Sequence, residues 1–175
     1  GFPPEEIRRR SKEALAKVHL EGLEGRKVTT LSGGQCQRLV VAAVLAEEPD
    51  VLVFDEPTSA LDPEGIREFY EMVGELNEKE GLTVIVAEHH LEAALLYAKK
   101  FVLMNHGEII VSGTPEEVMR RMYTEHIYEE AIPDMYKAQL ELEQVGMTFE
   151  KPFLNLADAE TSVIHSFEKG GEKDA

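Results

Sequence analysis

The sequence predicts an α/β fold built on a mainly parallel sheet, and three observations carry that expectation. Short apolar runs, VLVF at 51–54 and TVIVA at 83–87, alternate with longer stretches of helical periodicity, the pattern of a sheet whose strands are joined by helical crossovers. Neither run alternates apolar with polar residues, as suits strands covered on both faces. A later pair, FVLM and EIIVSG, is separated only by Asn105-His106-Gly107, which reads as a hairpin at one side of the sheet.

The elements follow in order. PPEEIRRRSKEALAKVHL, from Pro3 to Leu20, starts with prolines and acids and places Ile7, Leu15 and Val18 at helical intervals, so a first helix is expected there. EGLEGRKVTT interrupts it. Ser32 then caps a helix from Gly33 to about Glu47, and Gln35 completes a capping box. Pro49-Asp50 ends that helix, VLVF is a strand, and Pro57 and Pro63 mark a loop. Residues 64–80 read as a helix stopped by Gly81, followed by the TVIVA strand and a helix from Leu91 to Lys99. Beyond the hairpin, Thr114 opens the helix TPEEVMRRM. Residues 135–145 and 158–168 are each expected to be a short helix, separated by Gly146–Pro152, and GGEKDA to be a frayed tail.

Composition bounds the function. The 175 residues are 43% hydrophobic with a formal net charge of −16, enough apolar content for a packed core and the wrong sign for a broad grip on nucleic-acid phosphates. One cysteine, Cys36, excludes an internal disulfide. The longest apolar run, Leu39–Ala46, falls well short of the ~20 residues that cross a bilayer.

Two stretches carry chemistry. In a parallel sheet functional groups gather at the carboxyl ends of strands, and VLVF delivers Asp55 and Glu56 there, with Asp62 at the close of the loop DEPTSALD. One carboxylate can hold Mg²⁺ while its neighbour orients or deprotonates a water for attack on phosphorus. A bare Asp-Glu pair is more often a solvated strand end; the ordered loop and third acid distinguish this one. LSGGQ, Leu31 to Gln35, sets a serine hydroxyl and two glycines at a helix start, where unpaired N–H groups and the helix dipole favour a phosphate. Ser-Gly-Gly alone is an ordinary cap. With the acid pair downstream, phosphate binding is the better reading.

LSGGQCQR resembles the signature motif of the ATP-binding cassette (ABC) transporter ATPases, VLVFDEPTSALD their Walker B strand and D-loop, and TVIVAEHHLEAA their switch-histidine segment, in the family's order. The resemblance covers residues 1 to about 123. It implies a partial P-loop NTPase (ABC ATPase) domain that lacks its N-terminal half and carries a C-terminal helical extension. The implied divisions are a signature-motif helical subdomain (1–48), the C-terminal half of the ATPase core (49–123) and a helical extension and tail (124–175). Carried over residue by residue, it implies ATP and Mg²⁺ as cofactors, with Asp55 organising the metal, Glu56 as general base and His89 on the γ-phosphate. Leu31, Ser32, Gly33, Gly34 and Gln35 would grip the γ-phosphate of a nucleotide held mainly by a second ABC ATPase subunit, and Asp62 would reach across the dimer interface.

The chain departs from the family in places. Glu88-His89-His90 stands where Thr-His-Asp is usual, so His90 is the alternative switch histidine. Cys36 replaces a residue that is usually polar, and reads as a packing or surface substitution. GFPPEEIRRR, AEHHLE and the AIPDMYKAQLELEQVGM tail are similar to the ATPases of energy-coupling factor importers of vitamins, cobalt or nickel. That likeness implies a peripheral subunit on the cytoplasmic face of the membrane, beside a transmembrane coupling protein and a like or unlike second ATPase. Two other readings remain: a soluble ABC-type ATPase acting on DNA or ribosomes, and a non-catalytic half-domain completing a partner's site. The acidity disfavours the first, and intact Glu56 and His89 the second.

The phosphate-wrapping loop G-x-x-x-x-G-K-[ST] does not occur in the sequence. The purified 175-residue chain is therefore expected to show no magnesium-dependent phosphate release from ATP; release above background would contradict this reading.

Overall fold

The structure, a computed structural model, describes residues 1–89, 91–153 and 155–171. Backbone packing divides it into two compact units, Gly1–Glu88 and His89–Ala175.

The first unit begins with α1 (Pro4–Lys17), which has proline at its start, Glu5 and Glu6 in its first turn and Lys17 in its last, each sign of charge where the helix dipole favours it. It packs on α2 (Gly33–Leu45). Ala14 of α1, Val18 just after it, and Val41, Ala42 and Leu45 of α2 are buried. Arg10 lies over the Phe2 ring, 4.2 Å from its centroid, and reaches Glu48 past the end of α2 at 3.2 Å.

Strand β1 (Val51–Asp55) pairs in parallel with β2 (Thr83–Ala87), in register Val51 with Thr83 through Asp55 with Ala87. The crossover is α3 (Pro63–Glu80), ended by Gly81 in the left-handed region at φ 71°, where a residue without a Cβ is least strained. Phe69, Met72, Val73 and Leu76 of α3 are buried, and Phe69 meets Phe54 of β1 edge-on at 5.3 Å. Both strands were expected to be covered on both faces. Instead burial alternates: Leu52 is buried, whereas Val53 is 70% and Ile85 53% exposed. Helix α3 covers one face only, and among the described residues of this unit nothing covers the other.

The second unit opens with α4 (Leu91–Ala94), shorter than the Leu91–Lys99 helix expected, because the chain turns through Tyr97 and Ala98 before β3 (Phe101–Asn105). Strand β3 pairs antiparallel with β4 (Glu108–Gly113). The intervening His106 and Gly107 both have positive φ, 48° and 81°, as a tight two-residue hairpin turn requires. A capping box between Thr114 and Glu117 starts α5 (Pro115–Thr124), and α6 (Asp134–Gln144) and α7 (Leu156–Gly171) follow. The core joins Val111 of β4, Val118, Met119 and Met122 of α5, Ile132, and Tyr136 and Leu140 of α6. Thus α6 packs with the hairpin and α5 rather than standing apart from them. Helix α7 runs longer than the sequence suggested, and the last four residues of the expected tail lie outside the described residues.

A polar brace ties these helices together. Arg120 of α5 donates two hydrogen bonds to the Glu143 carboxylate of α6, and buried Gln139 donates to Glu143 while its oxygen accepts the Phe153 N–H at 2.7 Å. Hydrogen bonding from Arg120 holds the Glu143 carboxyl below its ordinary value of 4.5. A depressed folded value contributes stability that is full above the unfolded pKa and lost as pH falls through the folded one. Urea unfolding from neutral pH down through pH 4.5 should accordingly lose more stability in the parent than in Arg120→Met, and equal losses would remove this pair as a source of acid sensitivity.

Candidate functional site

The glycine-rich stretch folds as a helix start. Ser32, in extended backbone, accepts the Gln35 N–H on its Oγ at 3.2 Å, and Gln35 Oε1 accepts the Ser32 N–H at 3.0 Å. The Cys36 N–H turns back to the Ser32 carbonyl at 2.8 Å. The third and fourth amides of the helix end are thereby satisfied, while those of Gly33 and Gly34 take no part in the capping box. Because Ser32 Oγ serves as acceptor, its O–H still has a proton to donate. Ser32 and Gly33 are exposed. A Cβ placed on either glycine would meet nothing within 4 Å, and neither has positive φ. Nothing within the unit calls for glycine at these positions, since a side chain there would meet open space. Leu31 precedes them, half-buried, its N–H on the Val28 carbonyl of a 3₁₀ turn. The Cys36 thiol faces the carbonyls of Val28 and Leu31 at 3.8 and 4.0 Å, a packing position on that turn.

The acids lie at the carboxyl end of the parallel pair. Asp55 is the last residue of β1 and is exposed. Glu56 follows, also exposed, its N–H on the Ala87 carbonyl of β2 at 2.9 Å. Its φ is 46°, a left-handed conformation that costs an L-residue roughly 1–2 kcal/mol and persists only where the surroundings over-determine it. Side chains from α2 and from the end of β2 hold the residues that follow Glu56. Gln37 of α2 donates its side-chain N–H to the Pro57 carbonyl. Glu88, directly after β2, accepts both the Thr58 N–H, at 3.0 Å, and the Thr58 hydroxyl on one carboxylate oxygen. Asp62 caps α3 by accepting the Gly65 N–H at 2.8 Å. Tyr70 of α3 is buried, and its phenol is pushed up to about 12 by desolvation and by the charge of Glu88.

The first unit thus brings the glycine-rich helix start, the two acids and Asp62 onto one chain of bonded elements: α2 to the loop through Gln37, the loop to β2 through Glu88. His89 is exposed and begins the second unit; the alternative, His90, lies outside the described residues. Among the described residues no cluster of three or more His, Cys, Asp or Glu is arranged around a metal position. A magnesium ion bound through one or two carboxylates, waters and phosphate oxygens needs no such cluster, so Asp55 fits that donor set.

Sequence reasoning singled out the reactive types and missed the residues that hold them. Gln37 and Thr58 gave no separate signal inside their motifs. Glu88 was noticed only as an acid in place of threonine, and its bond to Thr58 joins positions thirty residues apart.

Residues 5–59 match the ABC transporter family. Over 99% of its length the chain is 39% identical to the energy-coupling factor transporter ATP-binding protein EcfA2 of Bacillus cereus, covering 60% of that protein. Over nearly its whole length the chain is similar to the ABC transporter ATPases. Among solved structures it resembles cbiO1 of Clostridium perfringens, described as part of the ABC transporter complex cbiONQ, with TM-score 0.65 and 34% identity over 83% of this chain and 54% of that one. It also resembles a bacterial ABC transporter cassette solved as a dimer, with TM-score 0.53 and 32% identity over 65% of this chain and 49% of that one. The chain therefore spans roughly half to three-fifths of the length of these relatives.

Because Gly34 has helical backbone and open space around it, Gly34→Ala is expected to stabilise the isolated chain by about 0.4–1 kcal/mol. A lower melting temperature for that variant would show that the space is not open.

Proposed function

We propose that this chain forms part of the ATP-hydrolysing subunit of an ABC importer of the energy-coupling factor kind. The supporting observation is the pairing of an open Ser32-Gly33-Gly34 helix start with Asp55 and Glu56 at the strand end, the two joined through the Gln37–Pro57 bond. A glycine pair that costs helix stability and serves no internal packing is accounted for if a phosphate approaches it.

In this reading Leu31 to Gln35 present the Gly33 and Gly34 amides and the Ser32 hydroxyl to a γ-phosphate, and the nucleotide rests mainly on a second ATPase subunit. Magnesium, when bound, would neutralise phosphate charge, with Asp55 holding it. Glu56 takes the proton of the attacking water as the water oxygen bonds to the γ-phosphorus and the bond to the ADP oxygen breaks. His89 contacts the γ-phosphate, and Asp62 meets the partner across a head-to-tail dimer. The relative solved as a dimer supports two-subunit assembly. The name of the Bacillus cereus relative supports a transporter setting, with a transmembrane coupling protein as partner and a peripheral position on the cytoplasmic face. Among the described residues no helix is long and apolar enough to cross a membrane. The helical subdomain, core and extension proposed for residues 1–48, 49–123 and 124–175 are roles within that complete ATPase. By itself the chain, lacking the phosphate-wrapping loop, is inactive.

The test is steady-state ATP hydrolysis by the assembled ATPase. Glu56→Gln should lower kcat by about 10²–10⁴ while nucleotide binding persists, and Gly34→Ala should weaken turnover despite its gain in stability. Parental turnover by Glu56→Gln would overturn the assignment.

A further inference from the structure

We propose that Glu88 is a positioning residue: its carboxylate clamps Thr58 and so holds Glu56 and the 57–62 loop in working geometry at the end of β1. The inference rests on the functional reading above for its consequence, though not for its geometry.

The clamp is a single oxygen taking two donors. Glu88 Oε1 accepts the Thr58 backbone N–H and the Thr58 hydroxyl, and Thr58 is 3% exposed. A buried N–H and a buried O–H with no acceptor would each be costly, so Glu88 satisfies both groups that burying Thr58 takes from water. The clamp acts two residues from Glu56, whose left-handed backbone needs support from outside itself. The loop is then fixed at three successive residues: Glu56 through its N–H to Ala87, Pro57 through its carbonyl to Gln37, and Thr58 to Glu88. The second and third attachments hold the Pro57–Thr58 peptide from opposite sides, its carbonyl by Gln37 and its N–H by Glu88, so losing either leaves that peptide held at one group only. Of the three, only the third uses a side chain from the end of β2, so it alone ties the loop to the residue that immediately precedes His89 in the chain.

Two properties make glutamate suited to the position. It is acceptor-only when ionised, so one oxygen can take both donors. It is also long enough to reach from the end of β2 to a loop leaving β1, which a threonine there is not. Acceptor and reach can be separated by substitution: glutamine keeps both, aspartate keeps the acceptor and loses reach, alanine loses both.

Two measurements test this. In the 175-residue chain, amide exchange at Thr58 should quicken about tenfold or more in Glu88→Ala and Glu88→Asp, the scale of losing a hydrogen bond to a charged acceptor, and stay within about threefold of the parent in Glu88→Gln. In the assembled ATPase, Glu88→Ala should lower kcat at least about tenfold with KM for ATP unchanged, and Glu88→Gln should restore most of it. Unchanged Thr58 exchange in Glu88→Ala overturns the clamp. Quickened exchange with parental kcat, while Glu56→Gln is inactive, overturns its role in turnover but leaves the ATPase reading standing. Parental turnover by Glu56→Gln sinks that reading, and the exchange data still decide the clamp.

Discussion

The parallel pairing of β1 with β2 is the constraint on which the candidate site depends. With Asp55 set opposite Ala87, the residues that follow each strand, Glu56 and Glu88, emerge at the same end of the sheet. Since side chains alternate along a strand, a slip of one residue would turn Asp55 to the opposite face and carry Leu52 off the buried face it shares with Phe54. The burial of Leu52 and the edge-on contact between Phe54 and Phe69 thus do more than stabilise a core. They fix which carboxylates meet at the carboxyl edge, and the hydrogen bond from Glu56 to Ala87 extends that register one residue past the strand.

A second, local constraint operates at the start of α2. The capping box uses the serine hydroxyl oxygen, the glutamine side-chain oxygen and the backbone N–H groups of Ser32 and Gln35, and in doing so defines which donors it does not use. The same few residues therefore give the helix a stable beginning and leave an anion-seeking end exposed. Glycine at the first two positions weakens the helix slightly, and the cap offsets that weakness. Stability and recognition are distributed over neighbouring atoms instead of competing for the same ones.

Each unit encloses a core and leaves apolar strand residues uncovered, Val53 and Ile85 in the first and Val102, Met104 and Ile109 in the second. The second gathers α5, α6 and the hairpin around buried Met119, Met122 and Tyr136 and braces them with Arg120, Glu143 and Gln139. The first leaves Val51, Val53 and Ile85 exposed on one face of its strand pair. Strands this apolar have the composition of an interior sheet, and their uncovered face agrees with a chain that spans about 60% of its Bacillus cereus relative.

By itself the sequence determined the elements and the residue types at their ends. Ser32 with Gln35, Thr114 with Glu117, Gly81 and the Asn105-His106-Gly107 turn act through hydrogen bonds and backbone angles a few residues apart, so their pattern is legible without coordinates. The β-strands were legible as apolar runs, but which faces would be covered was not, because cover is supplied by segments distant in the chain. Likewise Asp55 and Glu56 could be recognised as a strand-end pair, whereas the left-handed backbone of Glu56 and the grip of Gln37 and Glu88 on the loop could not. Only the tertiary structure decided those, since the register of β1 on β2 and the seating of α2 on the loop bring together groups that no local periodicity connects.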